Sequence, residues 1–307
     1  MNKQPGENLT YGKRAAYLLL AFVFPLIHLA SSLILQLAFL IPLQNKAARQ
    51  LGEGASAEEI AEKALSLYQN YTDLVSALAN LLAILAVLLL FGVICRAAGE
   101  GRPAAKEFFS LRRVDGITLL FAAILAIAFY HVIVGVLQLF RLAAPELYES
   151  YQNASASLGG RENRVFGFLA LVIMAPIAEE LIYRAMTISH LEKALSRPWA
   201  LALSSLLFGL VHGNLLWMLY ALLMGLLFGF LFLRTRSIFP TLVMHAVFNL
   251  VGFLYSLIDS SRMSDEAVTL FNTLTWVLVA LSVLLVPLML FLILRRTRRA
   301  PEKRESV

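Results

Sequence analysis

Apolar residues run along this chain in eight stretches set apart by short polar ones: 15–43, 75–95, 117–140, 165–188, 199–211, 215–233, 238–258 and 268–294. Most approach or exceed the roughly 20 residues a helix needs to cross the hydrocarbon core of a bilayer. None shows the residue-by-residue alternation of a barrel strand, so the pattern predicts helices. The fifth run is short, and Gly213 and Asn214 leave only a tight corner before the sixth. Runs five and six are therefore read either as two spans or as one broken, re-entrant hairpin.

Composition fixes the solvent for these helices. Hydrophobic residues make up 59% of the chain and charged residues 15%, against roughly a quarter charged in soluble domains. Lipid is the expected surroundings, where the backbone must satisfy its own hydrogen bonds. The fold class expected is all-α, a polytopic membrane bundle of about eight transmembrane helices. Residues 1–163 would hold three spans and two polar loops, 164–258 four spans, and 259–307 the last span with a basic tail.

The formal charge of +6 does not point to nucleic acid, because the basic residues gather at the ends of apolar runs. With Lys3, Lys13 and Arg14 on the cytoplasmic side, eight crossings put the flanks 96–113, 193–197, 234–236 and 295–304 on that side too, each net positive. The opposite loops carry Glu53, Glu58, Glu59 and Glu62, then Glu146 and Glu149, then Asp259, Asp265 and Glu266. Arg141, Arg161 and Arg164 offset the middle set, yet the bias follows the positive-inside rule. Both termini are expected in the cytoplasm. Cys95 is the single cysteine, which excludes a disulfide framework or a cysteine-built metal site. The first apolar run is much longer than a signal-peptide core and is expected to stay in the mature protein. Loops 44–74 and 141–164 should form short surface helices or no structure. Segment 103–114, with Phe108, Phe109 and Leu111 among basic residues, should lie in the membrane interface.

Ionisable residues inside a bilayer are costly, so each is a functional candidate needing a partner. Run four contains Pro176, Glu179, Glu180 and Arg184. Helical geometry turns adjacent side chains apart and brings i and i+4 together, so Glu180 can pair with Arg184. Glu179 then has no cation in its own helix, as suits a base that takes a proton from water. Pro176 removes the donor that would serve the carbonyl of Val172, which predicts a kink and a pocket. In run five, Phe208 and His212 lie one turn apart, so the ring can orient the imidazole. Run seven stacks His245 and Asn249 at the same spacing. Plainer readings exist for each: carboxylates at a helix end, a hydrogen-bonding histidine, a helix-packing clamp. Depth argues for one site. A rise of 1.5 Å per residue places Glu179 roughly 13 Å, His245 roughly 11 Å and His212 roughly 20 Å from the cytoplasmic ends of their runs, the last shortened by tilt. His28 and His131 lack matching partners and are read as structural, and His190 as interfacial.

The set Glu179-Glu180-x-x-x-Arg184, Phe208-x-x-x-His212 and His245-x-x-x-Asn249 resembles the three motifs of the CPBP family, the CAAX-processing and bacteriocin-processing (Abi) intramembrane endopeptidases. The resemblance covers roughly residues 165–255. It implies eight membrane helices around a polar cavity open to the cytoplasm, and hydrolysis of membrane-associated or lipidated proteins or peptides, CAAX processing included. It also implies roles: Glu179 activates water, His212 completes the acid–base pair, and His245 and Asn249 stabilise the oxyanion. Glu180, Arg184 and Phe208 are supports. Chemistry agrees in outline, since amide hydrolysis needs a base, a proton for the leaving amine and donors for the oxyanion.

A metal is the open point. Glu179, His212 and His245 could bind zinc with a water in the fourth position, yet the chain has no His-Glu-x-x-His, and a metal-free site is the preferred expectation. Two other classes keep the same residues: a non-catalytic membrane adaptor or bacteriocin-immunity protein, and a proton-coupled transporter. The setting expected is a bacterial plasma membrane.

Overall fold

A computed structural model describes residues 10–98, 104–157, 164–258 and 260–297. Lys3, Arg161, Asp259 and the basic tail from Arg298 lie outside them. Among the described residues there is helix and no strand. In chain order the helices are α1 (Tyr11–Leu51), α2 (Ala57–Gln69), α3 (Thr72–Ala98), α4 (Ala105–Phe108), α5 (Gly116–Ala143) and α6 (Pro145–Ser157). They continue as α7 (Arg164–Ala194), α8 (Arg197–Leu210), α9 (Leu215–Thr235), α10 (Phe239–Ser256) and α11 (Asp265–Arg296).

Seven of these, α1, α3, α5, α7, α9, α10 and α11, are long and apolar enough to cross a membrane. The fifth run is the exception among the eight. As α8 it has 14 residues, about 21 Å at 1.5 Å per residue, too short for a hydrocarbon core of ~30 Å. It packs along α9 as the ascending arm of a hairpin. The arms meet closely because Gly209 and Gly225 lack a Cβ: one would lie 2.9 Å from the Met218 carbonyl oxygen and the other 2.9 Å from the Ser205 Cα. Gly213 turns the corner at φ 76°, open to glycine without strain. Asn214 caps α9 by accepting from the Leu216 N–H at 3.0 Å, and its amide reaches Ser150 of α6 at 3.2 Å.

Arginines gather at one end of the bundle. Glu192 of α7 binds Arg197 at 3.1 Å and both nitrogens of the Arg236 guanidinium, joining α7, α8 and the end of α9. Arg234 bonds Thr297 at 3.0 Å, and Arg296 pairs with Asp115 at 2.9 Å. The segment read as interfacial packs against this end of the bundle. Phe108 and Phe109 pack on Phe91 of α3, the Ser110 carbonyl accepts from the Ile238 N–H at 3.2 Å, and the Arg112 carbonyl from the Ser237 hydroxyl at 2.6 Å. At the opposite end the polar loops form α2, started by a capping box between Ser56 and Glu59, and α6.

Helix α7 is the centre of the bundle, touching α1, α3, α8, α9 and α10. Its residues from Glu180 to Ile188 are all buried. It is not a regular α-helix: Leu169–Met174 and Glu180–Ile188 are wound as π-helix, with Ala175–Glu179 between them. Such wide turns occur often at functional sites.

Candidate active site

The π register decides which carbonyl Pro176 leaves without a donor. The Ala175 N–H reaches back five residues to the Ala170 carbonyl. By the same step the donor for Leu171 would come from residue 176, a proline without an N–H. The orphan is thus Leu171, one residue before the Val172 expected from α-helical spacing. Asn249 of α10 satisfies it, its amide nitrogen 2.8 Å from the Leu171 oxygen.

The adjacent carboxylates part company as the i, i+4 rule predicts. Glu180 is fully buried, 3.3 Å from the Arg184 Nε. Arg184 is also buried, its guanidinium 4.5 Å from the Phe208 ring centre and 5.4 Å from that of Phe228. Two aromatic faces thus hold the cation beside its carboxylate. Glu179 keeps 13% of its side chain exposed and has His245 as its ion-pair partner.

His245 stands between the two. Its Nδ1–H donates to Glu180 Oε1 at 2.9 Å, and its Nε2 lies 3.6 Å from Glu179 Oε2. The sequence pairs His245 only with Asn249; its bond to Glu180 emerges from the fold. His212 ends α8 with its Nδ1–H donating to the Phe208 carbonyl at 2.7 Å. A carbonyl can only accept, so in the neutral ring Nε2 is the bare nitrogen. Phe208 packs edge-on against both imidazoles, 5.0 Å from His212 and 6.1 Å from His245 between ring centres. Glu179, His245 and His28 are within electrostatic reach of His212. All seven expected site residues therefore gather around the midpoint of α7. Glu179 is 15 residues from either end of the helix. Ion pairing of Glu192 lets α7 continue six residues past its apolar run.

Two further residues stand beside the site. Tyr183 is fully buried four residues after Glu179 and packs on Phe208 at 5.1 Å. His28 of α1 has its Nδ1 3.5 Å from the Tyr183 hydroxyl and its Nε2 3.3 Å from Asn80 Oδ1 of α3. The fourfold spacing on each helix was the available signal. His131, by contrast, is held between the Ile127 carbonyl at 2.7 Å and the Tyr255 hydroxyl at 3.1 Å, away from the site. His190 is buried and bonds the Met186 carbonyl at 2.7 Å.

Among the described residues no group of three His, Cys, Asp or Glu side chains is placed to hold a metal ion; the Nδ1 atoms of His212 and His245 bond Phe208 and Glu180, which leaves the Nε2 atoms facing the site.

A polar cleft lies against α7 near the site. It runs between α1, α3 and α7 at the α2 end, opposite the arginine-rich end that loop charge assigns to the cytoplasm.

Comparison with known proteins bears on this geometry directly. A family model described as "Type II CAAX prenyl endopeptidase Rce1-like" matches residues 161–251, the stretch holding every site residue named from the motifs. Residues 161–251 are similar to that family. Two curated proteins are similar over part of the chain. "Putative membrane peptidase YdiL" of Bacillus subtilis (strain 168) is 35% identical over 77 residues, 25% of this chain and 32% of that protein. "UPF0177 protein YbdI" of Lactococcus lactis subsp. lactis (strain IL1403) is 30% identical over 95 residues, 30% and 50% of the two chains. The chain thus spans about a third of one relative and half of the other. No solved structure matches it. The Rce1-like segment and the seven long apolar helices make this an integral, multi-pass membrane protein.

Proposed function

We propose that the chain is an intramembrane endopeptidase that hydrolyses peptide bonds of membrane-associated or lipidated proteins or peptides, in the manner of CAAX processing. The observation that carries this reading is the division of labour between adjacent carboxylates. Glu180 is sealed against Arg184 and His245, whereas Glu179 keeps an exposed edge at the meeting point of α7, α8 and α10.

In this reading Glu179 takes a proton from water, and the hydroxide formed attacks the substrate carbonyl. His212 Nε2 carries the proton to the leaving amine, its ring held by the Phe208 carbonyl and Phe208 edge. A proton on His245 Nε2, supported from behind by Glu180, gives one donor to the oxyanion. Asn249 has two amide hydrogens; one holds Leu171 and the other is free for the same oxygen. Arg184 serves the site through Glu180. No step needs a covalent intermediate or a metal. A bacterial plasma membrane, with both termini cytoplasmic, is the setting that loop charge favours.

The test is cleavage of quenched peptides, with and without a lipid anchor, by purified protein in nanodiscs. Glu179→Gln and His212→Ala should each lower the rate by about 10²-fold or more while leaving helicity and melting unchanged. Full activity in either variant would refute the assignment.

A further inference from the structure

Hydrolysis consumes water, and lipid carries none to the depth of Glu179, about 22 Å of helix from either end of α7. The cleft beside α7 has a volume of about 270 Å³, well beyond the ~30 Å³ share of one water molecule. Its α1 wall is Ser32 and Gln36, and its α3 wall Thr72, Ser76 and Asn80. Each wall belongs to a polar stripe of fourfold spacing, completed on α1 by His28, so each stripe faces one way. Hydroxyls and amides both donate and accept, which fits water better than it fits an ion or an acyl chain. One carboxylate, Asp73, stands at the mouth beside Tyr68.

The inner end of the cleft meets the site at two corners. Asn80 bonds His28, which faces Tyr183, four residues beyond Glu179. On the other side Leu171 and Ala175 of α7 form the wall, and the Leu171 carbonyl holds Asn249. At the arginine-rich end segment 104–114 bonds across to Ser237 and Ile238, and the depression beside it, lined by Lys106, Glu107, Ser110, Arg112 and Arg236, includes no residue of α7.

The geometry assigns to the α1–α3 cleft the delivery of water to Glu179 from the α2 end of the bundle. The inference rests on the hydrolytic reading of Glu179, but its test does not need turnover. In a Cys95→Ser background in nanodiscs, single cysteines are labelled with a cationic, membrane-impermeant methanethiosulfonate. Ser76→Cys should react at least about tenfold faster than Leu85→Cys, also exposed on α3 but away from the cleft, a barrier difference of about 1.4 kcal/mol. Glu179→Cys should react too, and filling the cleft with Ser32→Leu and Gln36→Leu should slow it about tenfold. Lys106→Leu at the other end should leave that rate unchanged. Equal rates at 76 and 85, or a rate at 179 unmoved by filling, would overturn the inference. Absence of proteolysis would refute the proposed function and leave the labelling results standing.

Discussion

Asn249 donates its side-chain amide to the carbonyl of Leu171, the group that a proline in a π-helical turn leaves without a backbone partner. One residue thus closes a gap in α7 and fixes the distance between α7 and α10. Asn249→Ala should cost about 1–3 kcal/mol, the desolvation cost of a buried acceptor left unmade. Asn249→Asp, which cannot donate as a carboxylate, should be at least as damaging. Melting in detergent measures both, and an unshifted transition for Asn249→Ala would show that the bond contributes nothing to stability.

Arg184→Ala should be the most destabilising single change at the site, by about 3–5 kcal/mol, because it leaves Glu180 buried without its cation. Arg184→Lys keeps the charge but loses the flat guanidinium between Phe208 and Phe228, so it should melt clearly below wild type. Pairing Arg184→Met with Glu180→Gln should recover much of the loss, as a double-mutant cycle would measure.

Hydrolysis should survive removal of divalent metals. Dialysis against chelator, with metal content measured afterwards, should leave the cleavage rate within about twofold, the order expected when no Lewis acid takes part. Loss of activity restored by zinc would show that the two histidines turn toward a metal.

Asp115 caps α5 at the arginine-rich end, outside the spanning segments. The Thr118 hydroxyl at 2.6 Å, its N–H at 3.1 Å and Arg296 at 2.9 Å together hold the Asp115 carboxyl below the usual range, Thr118 chiefly, against a small opposing effect of burial. A lowered native pKa gives stability that is present above the unfolded value of about 3.9 and is lost as pH falls through the native one. Asp115→Asn should therefore melt slightly below wild type at neutral pH, and the gap should close as pH falls through the lowered native value. The increment is small because both partners are exposed. A gap that persists in acid would assign the effect to something other than this carboxylate.

Much of the site was legible because i, i+4 geometry is local. Glu180 with Arg184 and Phe208 with His212 follow from spacing alone. The Val172 expectation missed by one residue because nothing in the sequence announces a π turn. His28 remained without a partner because Asn80 is 52 residues away and Tyr183 155, distances at which only packing decides. The same limit hid the position of the cleft, which depends on three helices at once. Hydropathy gave eight runs and marked the fifth as short, but the choice between a span and one arm of a hairpin rests on how α8 is braced along α9.

The contact between His28 and Tyr183 bears on how such a protein can be cut and rebuilt. Every motif lies within 161–251, which invites treating that piece as a portable cassette. Yet Tyr183 would lose its imidazole neighbour, and the π-wound face of α7 its cover, once α1 and α3 were removed. The leading helices are thus part of the working machinery, and any chimera carrying the motifs alone would inherit the chemistry's vocabulary without its housing.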